Sequence, residues 1–338
     1  MEEEPWVFSE AKMFELPTDY IETYKNDKRK PINEIYQAFT KLSSEKWVMD
    51  ILYNQEFEID NKKISLPIIA FRTKKTGRAI WLIAGVHGEE PAGTNALSKN
   101  IKFLNKLAQK IPIVLLPMCN PKGYVLNWRY PSKRRMRKNM TILPGVGSAE
   151  QNLIDEKSPT PKARANEAPC IEALKITNYT IKTSKVHKPL LVMDFHEDYG
   201  DNKIHIYSQG ELKFMDPIAN EIVKILRNKG FEFYEKKVSP FDPEIKNGIG
   251  YDVRDDTVDE LLASKKIFVN GRIINGPAAK SVIVIETPSR RIPLKKRVRA
   301  HSMIIKNLKR YFSTAQKISP NKEEEIEQEK EETEKISQ

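Results

Sequence analysis

The sequence is poor in cysteine: 338 residues carry two, Cys119 and Cys170. Two cysteines build no disulfide framework, and these two lack the paired spacing of a cysteine zinc site, so a reducing compartment is expected. No run of 18 apolar residues occurs, which excludes a membrane-spanning helix. The first residues, Met1-Glu-Glu-Glu-Pro5, are acidic and lack the apolar stretch of a secretory signal. A cytoplasmic location follows as the expectation. Internal repeats are absent. What the chain does have is 39% hydrophobic residues, enough for a sizeable core.

Formal charge is +11. From Asn321 to Gln338 eight Glu and three Lys give −5, so the rest carries about +16. Six Lys or Arg lie between Arg129 and Lys138, and six more between Arg290 and Arg299. A basic surface favours acidic partners. Nucleic-acid binding wants basic and aromatic residues interleaved on one face. The second run has no aromatics and the first only Trp128 and Tyr130 nearby, so solvated surface is the simpler reading and nucleic acid is not expected.

Residues 1–30 read as an N-terminal extension, 31–315 as one catalytic domain and 316–338 as an acidic, Lys-rich disordered tail. Helical spacing is read across Pro31 to Tyr53, through Ile35, Phe39, Leu42, Trp47, Ile51 and Leu52. Glu56 to Arg72 reads as a hairpin turning at Asp60-Asn-Lys-Lys. Buried strands are expected at 79–86, 111–118, 190–195 and 281–285, and helices at 91–108, 217–229 and 301–312, with Asp216 capping Pro217. Apolar strands alternating with helices specify an α/β fold, a mixed, mostly parallel sheet flanked by helices. Residues 143–168 and 238–256 read as long loops, the second a lid or pocket wall.

The chemistry collects at strand ends. Trp81-Leu-Ile-Ala-Gly-Val-His87-Gly-Glu-Glu90 closes an apolar run with an imidazole and a carboxylate three residues apart, about one helical turn. His196 ends another strand, in Met193-Asp-Phe-His. Two imidazoles, one carboxylate and an open position make a catalytic zinc site. Such an ion lowers the pKa of water and polarises a carbonyl. Glu286, in Ile283-Val-Ile-Glu-Thr-Pro, is placed to carry the proton to a leaving amine, and Arg137 to stabilise the oxyanion. Asp194 alternates onto the side of His196 as its support, while Glu197 turns away. Each piece has a plainer reading: a surface His/Glu pair, a structural histidine. A carboxylate ending an apolar strand is harder to dismiss.

Together these residues resemble the metallocarboxypeptidases. His87-Gly-Glu-Glu90 resembles their zinc motif, Cys119-Asn-Pro-Lys-Gly-Tyr124 their Asn-Pro-Asp-Gly-Tyr turn, and Met136-Arg137-Lys138 the segment whose arginine polarises the scissile carbonyl. Asn166-Glu-Ala-Pro169 resembles a helix start, Asp194-Phe-His196 the strand with the third ligand, and Ile285-Glu286-Thr-Pro the strand with the catalytic glutamate. The order is kept from about residue 55 to 312. The resemblance implies a single α/β domain, one zinc and amide-bond hydrolysis. It breaks where the family carries Asp-x-Asn-Arg-Asn: here stands Ser148-Ala-Glu150-Gln151-Asn152. Gln cannot reproduce a bidentate carboxylate clamp. Glu150 is suited to an amine, such as that of Lys or diaminopimelate. Tyr251 is the candidate phenolic donor, with Tyr199 behind it.

The expected activity is therefore zinc-dependent cleavage of a peptide or muropeptide, with substrate contacts at Glu150, Gln151 and Tyr251. Basic runs beside the site would favour an acidic peptide. The alternatives are a deacylase of N-acyl amino acids and a zinc-binding module without turnover. Oligomeric state is not legible.

Overall fold

The computed structural model describes residues 16–132, 145–238, 243–251 and 255–318. Its strands are β1 (Trp47–Ile59), β2 (Lys62–Thr73), β3 (Ala79–Ala84), β4 (Ile113–Leu116), β5 (Pro189–Asp198), β6 (His205–Ser208), β7 (Lys236–Lys237), β8 (Ile245–Lys246), β9 (Ile249–Tyr251), β10 (Lys266–Val269), β11 (Arg272–Asn275) and β12 (Ser281–Pro288). Its helices are α1 (Ile32–Phe39), α2 (Pro91–Lys99), α3 (Ile101–Leu107), α4 (Pro121–Leu126), α5 (Ile171–Ser184), α6 (Pro217–Arg227), α7 (Val258–Ala263), α8 (Leu294–Lys306) and α9 (Leu308–Lys317).

Ten strands form one mixed sheet in the order β1-β2-β4-β3-β5-β12-β6-β9-β8-β7. β4, β3, β5 and β12 run parallel at its centre. β3 is buried at every position and β5 at all but its last, which is why they read as unbroken apolar runs. The flanks are antiparallel: β1 on β2, β2 on β4 and β6 on β12. Helices cover both faces. Leu191, Met193 and Phe195 face the core shared with α1, α2, α6, α8 and α9, and Val192 and Val282 the core shared with α5 and α7. This is the expected α/β class, and parallel pairing recurs between β6 and β9.

Several elements differ from the expectation. Helix α1 stops at Phe39, and Trp47 begins a strand. The helical spacing of Trp47, Ile51 and Leu52 arises from a register shift between Ile51 and Tyr53, which breaks strand alternation and leaves Ile51 exposed. The expected helix at 91–108 is two, parted at Asn100. That at 301–312 begins earlier, at Leu294, and is parted at Asn307. Asp216 does cap α6, its Oδ1 accepting from the Ile218 N–H at 2.7 Å.

The described part of the N-terminal stretch, residues 16–30, packs onto the body. Leu16 and Ile21 enter the core, and the buried Arg29 guanidinium donates to the carbonyls of Gly88 (2.9 Å) and Tyr124 (2.6 Å). No described helix is long and apolar enough to cross a membrane.

Candidate active site

Three strand ends build the site. After β3 the chain turns at Gly85, whose φ is +66°. A Cβ there would lie 2.9 Å from Thr94 Oγ1 and 3.2 Å from Met118 Cα, so the turn needs glycine twice over. Gly88 is tighter still: a Cβ would lie 2.0 Å from the Gly123 carbonyl carbon. That closeness presses the His87–Glu90 turn against α4. The Asn-Pro-Lys-Gly-Tyr segment is α4 itself, capped by Asn120 Oδ1, which accepts from the Gly123 N–H at 3.0 Å. Its role is structural: Tyr124 donates from its hydroxyl to the Lys30 carbonyl at 2.9 Å.

Glu90 stands at the N-cap of α2 but does not cap it. Glu197, from β5, accepts the Ala92 N–H at 3.1 Å instead, and Arg297 pairs with its other oxygen. The Glu90 carboxylate is thereby left for the imidazoles. His87 Nδ1 lies 2.8 Å from Glu90 Oε1 and His196 Nδ1 lies 3.0 Å from Oε2. Donor atoms of the three residues lie within 4.8 Å of one another. His87 Nδ1 is buried without an aligned hydrogen bond despite that short approach, as when two donors point at a common third body. Two imidazoles and a carboxylate are the donor set of a catalytic zinc centre, so the residues fit that ion.

The electrostatics of His87 and Glu90 agree. Burial pulls His87 down to about 4, so its imidazole is neutral at pH 7 and its lone pair free for a metal. Burial alone would raise Glu90, but His87, His196 and Arg129 hold it well below the usual carboxylate range. Burial would lower His196, yet Asp194 and Glu90 hold it well above the ordinary value. Asp194 Oδ1 lies 3.1 Å from His196 Nε2 and orients that ring.

Glu286 lies beside His196 in the parallel β12–β5 register, so both side chains rise from one face of the sheet about 5 Å apart at their bases. Burial, with Glu90 and Asp198 near, pushes its carboxyl well above the ordinary range.

The remaining expected residues divide. Glu150 lines a cavity of about 200 Å³ with His87, Ser148, Asp255 and Asp256. Gln151 turns away, donating to Thr177 Oγ1 at 2.8 Å. Tyr251 packs on Phe214, ring centroids 5.3 Å apart, outside the cluster around Glu90. Tyr199 is exposed beneath the Arg290 guanidinium. Arg137 lies outside the described residues. The arginine that reaches the site among those described is Arg129, 2.7 Å from Glu90 Oε1. It sits in the basic run noted in the sequence, but nothing in the run's spacing separates it from its neighbours. Asp255, exposed beside the cavity, and the buried Asp259 were also illegible, because they follow a loop with no motif. A larger groove of about 1070 Å³, lined by Lys41, Lys99, Lys102, Lys229, Arg299 and Lys306 among others, holds none of these residues.

A family model described as zinc carboxypeptidase matches residues 45–152, the part that contains His87 and Glu90. Carboxypeptidase 2 of Trichophyton rubrum is 41% identical over 58 residues, 15% of this chain. The match covers 11% of that relative's length. The fold is shared more widely. A Shewanella baltica protein assigned as a metallopeptidase superposes with a TM-score of 0.57 at 17% identity, covering 83% of this chain and 90% of its own. Carboxypeptidase A of Helicoverpa armigera superposes at 0.55 and 12% identity, over 86% and 74%.

Proposed function

We propose that the chain is a zinc-dependent hydrolase that cleaves an amide bond in a peptide, a reading supported by the likeness of residues 45–152 to the zinc carboxypeptidases and by the shared fold. One observation carries the reading: two imidazole Nδ1 atoms converge on the two oxygens of Glu90, one strand from the half-buried Glu286 carboxyl. His87, Glu90 and His196 would hold the ion, which supplies Lewis acidity to a carbonyl and to water. Glu286 takes the proton of the attacking water and returns it to the leaving amine. Its raised proton affinity suits a group that must hold a proton between those events. Arg137 is assigned the developing negative charge on the carbonyl oxygen.

Substrate choice follows from the cavity wall. Glu150, Asp255 and Asp256 stand beside His87 where a carboxylate clamp would be needed, and Gln151 faces elsewhere. An acidic wall favours a residue bearing an amine, as in lysine or diaminopimelate peptides, over an acidic one. Arg164 neutralises part of the wall through Asp256, at 2.6 Å, and Glu150 and Asp255 are assigned to the amine by their place in the lining. The test is a peptide panel incubated with zinc-loaded protein. Cleavage should be fastest for substrates with a free side-chain amine at the scissile end. Preference for acidic peptides would overturn the wall assignment, and no cleavage of any peptide would overturn the hydrolase.

A further inference from the structure

The row of polar side chains on this face of the sheet does not end at Glu286. His205, on β6, lies opposite Glu286 in the antiparallel β12–β6 register, where facing residues share one side of the sheet. His205 is fully buried, and neither ring nitrogen makes an aligned hydrogen bond. Its Nδ1 lies 3.1 Å from Asp201 Oδ2. Asp198, two residues beyond His196, completes a group whose donor atoms lie within 4.8 Å of one another. We propose that Asp198, Asp201 and His205 form a second divalent-cation site, separate from the His87–Glu90–His196 centre, for an ion of the zinc class.

Three features support it. The first is the buried imidazole, neither of whose ring nitrogens makes an aligned hydrogen bond, which leaves polar capacity unmet in the interior. The second is the likeness to the first centre, where His87 Nδ1 also faces a carboxylate oxygen closely without alignment. The third is preorganisation: Asp198 Oδ1 already accepts the N–H groups of Gly200 (2.6 Å) and Asp201 (3.0 Å), which fixes the loop that carries two of the donors. One imidazole with two carboxylates suits zinc or manganese better than calcium or magnesium, which prefer oxygen alone.

Lys237 is the competing cation. Its ammonium lies 2.9 Å from both oxygens of Asp201. It neutralises that carboxylate, and both His205 ring nitrogens remain without an aligned hydrogen bond. The side chain is 20% exposed and has a route to solvent, so an incoming ion exchanges with it.

Zinc bound per chain, measured by elemental analysis after equilibration against buffered free zinc, tests the site. The full chain should hold two zinc ions, and His205→Ala or Asp201→Asn one. Lys237→Met should hold two, the second about tenfold tighter because the competing charge is gone. The ion kept in His205→Ala reports that the variant is folded. His196→Ala should lose the other ion, so failure of the hydrolase centre and failure of this site are read separately. One ion in both the wild type and Lys237→Met would overturn the proposal, as would a second ion that survives His205→Ala and Asp201→Asn.

Discussion

Glu90 occupies a position where a carboxylate would ordinarily cap its own helix, and here that duty is carried by Glu197 from the neighbouring strand. The exchange matters because one carboxylate cannot serve helix and metal together. Glu197→Gln should weaken zinc binding at the first centre by about 10–100-fold, the usual effect of removing a group that supports a ligand. Arg297→Met should cost about 3–5 kcal/mol in urea unfolding, because it strands a buried carboxylate. His301 supplies a pH test. Burial, with Arg297 near, depresses it to about 3 from an ordinary 6.5. A depressed folded value means stability that is full above about 6.5 and is lost as pH falls toward about 3. Between pH 7 and 4.5 the wild type should lose about 2 kcal/mol more than His301→Gln. Equal losses would show that His301 is not the group responsible. At this scale the grouping of His87, Glu90 and His196, the proposed ligands, was legible, because imidazoles and carboxylates at the ends of apolar runs are conspicuous. Glu197 was legible only as a residue that turns away, since its partners, Ala92 and Arg297, are about a hundred residues distant.

Elements were legible where burial makes the pattern plain. β3, β5 and β12 lie in the core and read as apolar runs, and α6 carries both an amphipathic stripe and its cap. Helix α5 was announced only by the resemblance of Asn166-Glu-Ala-Pro169 to a helix start, because its buried face includes Thr177, Thr180, Thr183 and Ser184, which give no hydrophobic period. The start of α8 was hidden by Lys295, Lys296, Arg297 and Arg299 around its apolar positions. The site depends most on the contact of the His87–Glu90 turn with α4. Gly88→Ala forces a Cβ into backbone that cannot yield by a side-chain rotation. The variant should lose about 2 kcal/mol or more in stability, the scale of an overpacked core, together with zinc affinity. A variant with wild-type stability and zinc binding would mean that the two turns do not touch so closely.

At the scale of the molecule, the sheet order does most of the work. β3, β5 and β12 are consecutive and parallel, so their carboxyl ends bring residues from 87 to 286 to one edge. Sequence order announced this arrangement, but not the strap formed by residues 16–30, whose polar composition conceals Arg29. By holding the Gly88 and Tyr124 carbonyls, Arg29 ties the strap to the ligand turn. Glu286 is proposed to move the proton in an amide-hydrolysing zinc centre. The most direct test is peptide turnover by zinc-loaded wild type and Glu286→Gln, with zinc content measured in both. Unchanged zinc and a rate lower by about 10²–10⁴-fold are expected in the variant, the range for losing a general acid–base group. A variant that keeps its zinc and the wild-type rate would contradict it.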